Sequence, residues 1–268
     1  MPPELISSPS NPLLKRIRKL RQRKHRAAAG ELFAEGIAPV WQAAESGAAL
    51  EVVVTAPELL TSERAGSLVE SLRDRGVEVV AVTAAAFESV AERENPSGLG
   101  AIVSVPEHRL ADLSLGPEAL VVALDEIGNP GNLGTVVRTA DAAGAAAVVV
   151  AGAAADPWHP GAVKASMGTV FKTPVVTASL DEVLTWARDA GLEIVATSAH
   201  GDVDHWTADY PERCLLLFGS EATGLSTETL AAADLVVRIP QKGAASSLNL
   251  AVAAGIVIYE AAKPRLSR

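Results

Sequence analysis

The stretch IPQKGAASSLNLAVAAGIVIYEA, residues 239–261, joins a glycine- and serine-rich loop to an apolar helix through the triplet Ser247-Leu248-Asn249. The first backbone N–H groups of a helix have no intrahelical partners, so they bind a capping side chain or face a ligand. One polar residue is enough for a cap, and this triplet has two. The pattern predicts a helix over 247–263 whose start is a ligand site, with N-capping alone as the alternative.

Upstream of this helix, short runs of Val, Leu and Ala alternate with helical segments. The predicted strands are LVVALD, AAVVVAG, TPVV, EIVATSA, CLLLFG and LVVRIP, and the predicted helices lie at 133–143, 160–168, 180–190 and 226–232. Strands that are apolar throughout are typical of parallel sheets covered on both faces. The sequence therefore predicts an α/β fold with a mostly parallel sheet.

The amino-terminal part shows the same alternation on a smaller scale, with helices predicted near 62–75 and 84–92. The segment PEHRLADLSLGP combines Pro, Gly and charge without clear periodicity, which is typical of a linker. The predicted organisation is one domain over 1–105, a linker over 106–117 and a second domain over 118–268.

The net charge of −9 is unevenly distributed. Residues 1–30 contain eight basic residues and one acidic residue, a net charge of +7, so the remaining 238 residues carry −16. Local cationic density is what binds phosphate, and a basic segment on an acidic body indicates a site for a phosphate-bearing partner such as a nucleic acid. The alternative is a solvated charged helix. The residues predicted to bind RNA are Lys15, Arg16, Arg18, Lys19, Arg21 and Lys24.

Several classes of protein are disfavoured. The longest apolar run, Ala142 to Ala155, is too short to span a bilayer, and the amino terminus does not read as a secretory signal, so a cytoplasmic protein is expected. The single cysteine, Cys214, is expected to pack in the core. None of the five histidines has the spacing of a metal site, so no metal is expected.

Three polar, glycine-containing segments follow predicted strands, at 125–145, 218–226 and 239–249. Ligands of open α/β sheets bind at the carboxyl ends of the strands, so these segments are expected to form one site. The glycines at 128, 131 and 134 are spaced G-x-x-G-x-x-G, which is not the dinucleotide-binding fingerprint. A nucleotide-binding oxidoreductase is therefore disfavoured.

Together these segments resemble the three motifs of the SpoU (TrmH-type) RNA ribose 2′-O-methyltransferases of the SPOUT class. The matching residues are Asn129-Pro130-Gly131-Asn132-Leu133-Gly134 with Arg138-Thr139, Gly219-Ser220-Glu221-x-x-Gly224-Leu225, and Ile239-Pro240 through Ser247-Leu248-Asn249. The stretch KASMGTVF is also similar to the family, although arginine is common at the position of Lys164. Ala251 likewise stands where the family often has serine.

The resemblance implies an S-adenosylmethionine site in the second domain. It assigns Gly219, Ser220, Ile239 and Leu248 to the cofactor, largely through backbone groups, and Thr197 and Ser198 are further candidates for the same pocket.

The resemblance also assigns the activation of the ribose 2′-hydroxyl to Arg138. A guanidinium stays protonated and is a poor general base, so we expect Arg138 to clamp a phosphate and stabilise the developing alkoxide. The alternative is an ion pair of Arg138 with Asp125 or Glu126. The remaining candidate catalytic residues are Asn132, Glu221, Ser247 and Asn249, with Glu221 orienting Arg138 or Asn132.

For the whole protein, the resemblance implies an L30e-like amino-terminal substrate-binding domain, a carboxyl-terminal trefoil knot and a homodimer. The expected activity is 2′-O-methylation of structured RNA, with 23S ribosomal RNA favoured. A transfer-RNA methyltransferase and a non-catalytic RNA-binding member of the fold are the alternatives.

Overall fold

The computed structural model describes residues 5–152, 155–244 and 247–266. In these ranges the helices are α1 (Pro12–Leu20), α2 (Arg23–Ala29), α3 (Ile37–Ser46), α4 (Glu63–Asp74), α5 (Ala84–Glu88), α6 (Pro130–Ala142), α7 (Pro160–Ala165), α8 (Leu180–Asp189), α9 (Thr227–Ala231) and α10 (Leu250–Leu266). The strands are β1 (Glu31–Glu35), β2 (Leu50–Thr55), β3 (Val79–Ala81), β4 (Leu99–Ser104), β5 (Leu120–Asp125), β6 (Ala147–Ala151), β7 (Val175–Ala178), β8 (Glu193–Thr197), β9 (Val203–Asp204), β10 (Cys214–Phe218) and β11 (Leu235–Arg238).

The described chain divides into two compact units, the first from Met1–Pro106 with Trp158–Lys172, the second from Glu107–Pro157 with Thr173–Arg268. The segment 158–172 therefore packs with the first unit, although its sequence position lies between two strands of the second. Gly168 shows how close this packing is, because a Cβ there would lie 2.6 Å from the Cα of Pro39 in α3.

The first unit is built on a four-stranded sheet with the order β1-β4-β2-β3. Strand β4 runs antiparallel to both of its neighbours, and β2 and β3 are parallel. Helix α1 begins at an Asn11 cap, whose Oδ1 accepts the Leu13 N–H at 2.8 Å. Its apolar face buries Leu14, Ile17 and Leu20, as the sequence periodicity predicts, and its other face exposes Lys15, Arg16 and Lys19.

The second unit is built on a seven-stranded sheet with the order β7-β6-β5-β10-β8-β11-β9, in which every described pair is parallel. Val121 and Ala123 pack with α8 on one face, and the alternating residues Val122 and Leu124 are also fully buried. Strands covered on both faces need apolar side chains at every position, which explains the continuous apolar runs. The parallel pairing of these strands confirms the predicted sheet. The trefoil knot stays a prediction.

Helix α10 begins at Leu250, three residues later than the sequence predicts. The Oδ1 of Asn249 accepts the N–H groups of Ala251 at 2.9 Å and Val252 at 3.3 Å. Asn249 is thus the capping residue, and the prediction of a helix starting at Ser247 was wrong. Since the Asn249 side chain already accepts two of the N–H groups that lack partners at the helix start, no further capping residue is needed.

Three other predicted helices differ from the structure by more than one residue at an end, and the first of them, predicted near 84–92, ends at Glu88 as α5. Helix α6 starts at Pro130 and not at 133, because the Oδ1 of Asn129 accepts the N–H groups of Gly131 at 2.8 Å and Asn132 at 3.3 Å. Proline at the first helical position needs no N–H partner, so it fits this start. Helix α7 ends at Ala165, and a separate 3-10 turn follows at Thr169–Phe171.

Among the described residues, no helix combines the length and apolar content needed to cross a membrane. Cys214 is fully buried at the start of β10, and burial raises the pKa of its thiol to about 11. Its predicted place in the core is confirmed.

Arg265 holds the last turn of α10 to the amino-terminal ends of the central strands. Its guanidinium donates to the carbonyl oxygens of Glu118 at 2.9 Å, Pro211 at 2.9 Å and Glu212 at 2.7 Å. A single arginine side chain has enough donors to satisfy several carbonyls in this way. These hydrogen bonds join segments that lie 53 to 147 residues apart in the chain.

We predict that Arg265→Ala lowers the free energy of unfolding by about 2 kcal/mol, because three carbonyl oxygens lose a charged donor. Urea denaturation followed by circular dichroism measures the change. The control is Arg109→Ala, which removes an exposed arginine of the same unit and should change stability little. Equal effects of the two substitutions would contradict this role for Arg265.

Candidate active site

The three polar segments meet at one edge of the seven-stranded sheet. Strand β5 ends at Asp125, β10 at Phe218 and β11 at Arg238. Phe218 pairs with Leu124 in parallel register, and β11 joins the same sheet through β8. Their carboxyl ends therefore point the same way, as the sequence analysis predicts for a site of this fold.

A chain of side-chain hydrogen bonds connects all three segments. The Nδ2 of Asn132 donates to Oε1 of Glu221 at 2.9 Å, and the Oδ1 of Asn132 accepts from the Nδ2 of Asn249 at 3.1 Å. The N–H of Gly128 also donates to Oε2 of Glu221, at 3.4 Å. Asn132 thus stands between the second and third segments and bonds to both. We call these three side chains the Asn132 network.

The donor pattern of the Asn132 network allows only one orientation of its amides. Backbone N–H groups can only donate, so Oδ1 of Asn249 must face the start of α10. Its Nδ2 must then face Asn132, whose own Nδ2 faces a carboxylate that only accepts. The cap of α10 thus sets the orientation of the Asn249 amide, which sets the orientation of the Asn132 amide, which directs its Nδ2 to Glu221.

Glu221 is held as a carboxylate. Burial raises its pKa, but the hydrogen bonds from Asn132 and from the Gly128 N–H outweigh burial, and the net pKa lies below its usual range. The group is ionised at neutral pH and keeps its role as an acceptor. Of the two partners that the sequence analysis considers for Glu221, the structure pairs it with Asn132.

The loop after β10 closes tightly on itself. A Cβ on Gly219 would lie 2.2 Å from the backbone carbon of Gly224, so only glycine fits there. The hydroxyl of Ser220 lies 2.8 Å from that of Thr223 and accepts the Thr223 N–H at 3.2 Å. The geometry of the turn therefore accounts for the glycine at position 219 and for the hydrogen bonds of the Ser220 hydroxyl. Contact of these two residues with a cofactor stays a prediction.

Thr197 and Ser198 lie at the carboxyl end of β8, beside the strand that leads into Ile239. The hydroxyl of Thr197 donates to the Leu217 carbonyl at 3.2 Å, and the N–H of Ser198 donates to the Val237 carbonyl at 3.0 Å. These two residues are thus tied to both neighbouring strands.

Ser247 and Leu248 are exposed, and Ile239 is half-buried. In the part of the chain that the structure describes, the Ser247 hydroxyl forms no hydrogen bond. Leu248 leaves 37% of its surface open, although its side chain is apolar. Since Asn249 caps the helix, the Ser247 hydroxyl remains available to a ligand.

Arg138 is exposed on α6, six residues beyond Asn132. Within the described residues its guanidinium forms no hydrogen bond or ion pair, so the expected alternative of a pair with Asp125 or Glu126 is not found. The structure does not bring Arg138 into the Asn132 network. An unpartnered, exposed guanidinium can bind a phosphate.

Two features of the first segment were missed by the sequence analysis. Asn129 places α6 through its cap, and an Asn-Pro pair before a helix is the signal that could have identified it. Asp125 ends β5, where burial and the neighbouring charge of Glu126 raise its pKa. Glu126 itself adopts a left-handed backbone with φ of 51°.

The six basic residues predicted to bind RNA fall into two groups in the first unit. Three lysines are exposed and have no partner among the described residues, namely Lys15, Lys19 and Lys24. Three arginines bond to the protein itself: Arg16 to Glu31, Arg18 to the Pro9 carbonyl, and Arg21 to the carbonyls of Val90 and Ala91. Among these six residues, the positive charges without a protein partner in the described residues are therefore those of the lysines.

Comparison with known proteins gives both units a family. Residues 119–259 match the SpoU rRNA Methylase family, and residues 11–101 match the MRM3-like substrate binding domain. One similar protein is the 23S rRNA (uridine(2479)-2′-O)-methyltransferase of Streptomyces viridochromogenes. It is 36% identical over 255 residues, which cover 92% of this chain and 88% of the relative.

A second relative is the 23S rRNA (guanosine(2553)-2′-O)-methyltransferase of Bacillus subtilis, 30% identical with 95% of this chain and 97% of the relative covered. Among solved structures, the AdoMet-bound rRNA methyltransferase from Sinorhizobium meliloti matches with a TM-score of 0.88 and 36% identity. That match covers 97% of this chain and 98% of the other. The resemblance drawn from the three motifs is confirmed, and this chain belongs to the SpoU rRNA methylase family.

Proposed function

We propose that this protein methylates a ribose 2′-hydroxyl of 23S ribosomal RNA, with S-adenosylmethionine as the methyl donor. The observation that carries the proposal is the Asn132 network, which ties the three family motifs together at the ligand-binding edge of the sheet. The named relatives act on 23S rRNA, and the neighbouring solved structure contains AdoMet. We place the reaction in the cytoplasm, where 23S ribosomal RNA is assembled into ribosomes.

The cofactor would be held by the loop after β11 and the turn after β10. The backbone groups of residues 239–244, 247 and 248 form no hydrogen bonds with other described backbone, so they are available to the polar edges of a ligand. Leu248 offers an exposed apolar surface beside them. Gly219 and Ser220 shape the turn, and Thr197 and Ser198 fix the neighbouring strand end.

S-adenosylmethionine supplies an electrophilic methyl group on a sulfonium, and the protein must align the ribose oxygen with it. The carbon–oxygen bond forms as the carbon–sulfur bond breaks, and the hydroxyl proton leaves. Arg138 binds the adjacent RNA phosphate and stabilises the developing alkoxide, while the proton passes to a phosphate oxygen or to water. Because the guanidinium stays charged, it acts as a cation and not as a base.

Asn132, Glu221 and Asn249 act mainly as positioning residues. The Asn249 amide already caps α10 and bonds to Asn132, which leaves one N–H for a ligand. The Ser247 hydroxyl forms no hydrogen bond within the described residues. We therefore assign direct contact with the ligand to Ser247 and the alignment of the two loops to the Asn132 network.

We further propose that the protein is a homodimer formed through α10. This helix leaves Val252 53% exposed and Tyr259 47% exposed, with half-buried Ile256 between them at helical spacing. Such an apolar stripe on a soluble helix is typical of an interface. The resemblance to the family implies the same assembly.

The proposed activity predicts that labelled methyl groups pass from S-adenosylmethionine to unmodified 23S rRNA and not to transfer RNA. Mapping the modified nucleotide should show a 2′-O-methyl group at one position. Incorporation into transfer RNA alone would favour the alternative substrate. No incorporation into either RNA would favour a non-catalytic RNA-binding member of the fold.

For Arg138→Ala we predict a fall in kcat of about 100-fold or more, since a cation at the developing alkoxide is removed. Cofactor affinity, measured by calorimetry, should stay unchanged, because Arg138 lies on α6 and is not among the residues proposed to hold the cofactor. Arg138→Lys keeps the charge without the fork of donors and should be intermediate. If Arg138→Ala abolished cofactor binding as well, the residue would have a structural role.

For the dimer we predict that light scattering after gel filtration gives twice the chain mass of 27.6 kDa. Val252→Glu combined with Tyr259→Glu should yield folded monomers, because two carboxylates would be buried at the interface. A wild-type protein that is monomeric at micromolar concentration would rule out the proposed assembly.

A further inference from the structure

We propose that the groove between α1 and α2 is a track for the phosphate backbone of the RNA substrate, in which Lys15 and Lys19 bind the phosphates. The inference rests on the proposed function and adds where, and with which residues, the first unit holds RNA. Arg16, Arg21 and Arg26 have a different task, which is to hold the walls of the groove in place.

The groove is open and large. Its volume is about 490 Å³, and its walls include Lys15 and Lys19 from α1 and His25, Ala28 and Ala29 from α2. The two lysines are one helical turn apart, so both side chains lie on the same face of α1. The alanines are short and exposed, which leaves the opposite wall low enough for a bulky backbone to enter.

Three arginines near the groove, Arg16, Arg21 and Arg26, bond to the protein itself. Arg16 forms a two-point contact with Glu31, with Nε 3.1 Å from Oε2 and Nη2 2.5 Å from Oε1. Arg21 donates to the carbonyls of Val90 at 3.1 Å and Ala91 at 2.7 Å, which ties the end of α1 to a segment 69 and 70 residues away.

Arg26 is 3% exposed and joins the two helices that form the walls. Its Nη1 donates to the carbonyls of Leu20 at 2.9 Å and Arg21 at 2.8 Å, at the end of α1. A cation at a helix carboxyl terminus is also favoured by the helix dipole. Arg26 therefore fixes the position of α2 relative to α1 and is not accessible to RNA.

Lys15 and Lys19 are different, since both are exposed and have no partner in the described residues. Helices α1 and α2 contain no acidic residue, and the nearby carboxylate of Glu31 is already paired with Arg16. Two like charges at positions i and i+4 repel each other and destabilise a helix. An anion in the groove would remove this repulsion.

The chemistry of the groove favours a nucleic-acid backbone over an apolar partner. With Arg16 and Glu31 neutralising each other, Lys15 and Lys19 leave the groove with unbalanced positive charge, and its half-buried His25 adds a hydrogen-bond donor. Lysines bind phosphates as point charges, without the two-point recognition that reads a base edge. The groove thus supplies affinity independent of base sequence.

The test uses the full-length protein and filter binding of a labelled, unmodified 23S rRNA transcript at several salt concentrations. We expect Lys15→Ala combined with Lys19→Ala to weaken binding about tenfold and to lower the slope of log affinity against log salt by about 2, because each lysine neutralises one phosphate. The control is Arg73→Ala with Arg75→Ala, which removes the same charge at the end of α4 in the same unit. It should leave the slope unchanged.

A second pair of variants separates charge from shape. Ala28→Glu places a carboxylate in the groove and should reduce affinity more than Ala28→Gln, which has nearly the same size and no charge. Thermal unfolding of each variant confirms that it folds. Because α2 is exposed at this position, neither change should lower the melting temperature strongly.

The outcomes distinguish this inference from the proposed function. If wild-type protein methylates 23S rRNA but the lysine variants keep its RNA affinity and salt slope, the groove inference is wrong and the function stands. If the wild-type protein binds 23S rRNA with the predicted groove dependence and transfers no methyl group, the proposed function fails and the groove stands. Equal effects of Ala28→Glu and Ala28→Gln would contradict an electrostatic track.

Discussion

The side-chain amide of Asn132 is the interaction on which the site depends. It donates to Glu221 and accepts from Asn249, so one residue of the first motif fixes residues of the second and third. Burial raises the pKa of Glu221, but hydrogen bonds from Asn132 and from backbone N–H groups including that of Gly128 lower it below its usual range, so the carboxylate stays charged. The three loops follow three different strands, and the sheet ladder sets the positions of the strand ends, whereas this pair of hydrogen bonds joins the loops to one another. Methyl transfer requires such fixed geometry.

Two asparagine caps determine where the network begins. Asn129 starts α6, which places Asn132 on its first turn, and Asn249 starts α10, which holds its own amide toward Asn132. The same atoms thus stabilise a helix and align the site. Since Asn249 caps α10, the Ser247 hydroxyl is not needed for the cap, and it forms no hydrogen bond within the described residues.

Much of the second unit could be predicted from sequence, because a strand buried on both faces leaves a continuous apolar run such as Leu120–Asp125. The convergence of the motifs followed from the direction of parallel strands. Helix starts were harder, since Ser247 and Asn249 are both good caps and only the three-dimensional position of Asn132 favours the second.

Contacts between distant segments could not be read from the sequence at all. The segment 158–172 follows a strand of the second unit, yet Gly168 packs against α3 of the first. Likewise, Lys19 and Arg21 lie two residues apart in the same basic segment, but Arg21 donates to carbonyls 69 and 70 residues away, whereas Lys19 has no partner among the described residues. Whether a basic side chain binds RNA or the protein depends on which acceptors the fold brings near it.

The most direct test of this account is a double-mutant cycle on methyl transfer with Asn132→Ala and Asn249→Ser. Serine keeps a capping oxygen for α10 and removes the amide that bonds to Asn132. If the two asparagines act through their shared hydrogen bond, the double variant loses little more kcat/KM than the worse single variant, with a coupling energy of about 1 kcal/mol or more. Independent, additive losses would contradict the claim that this bond aligns the site.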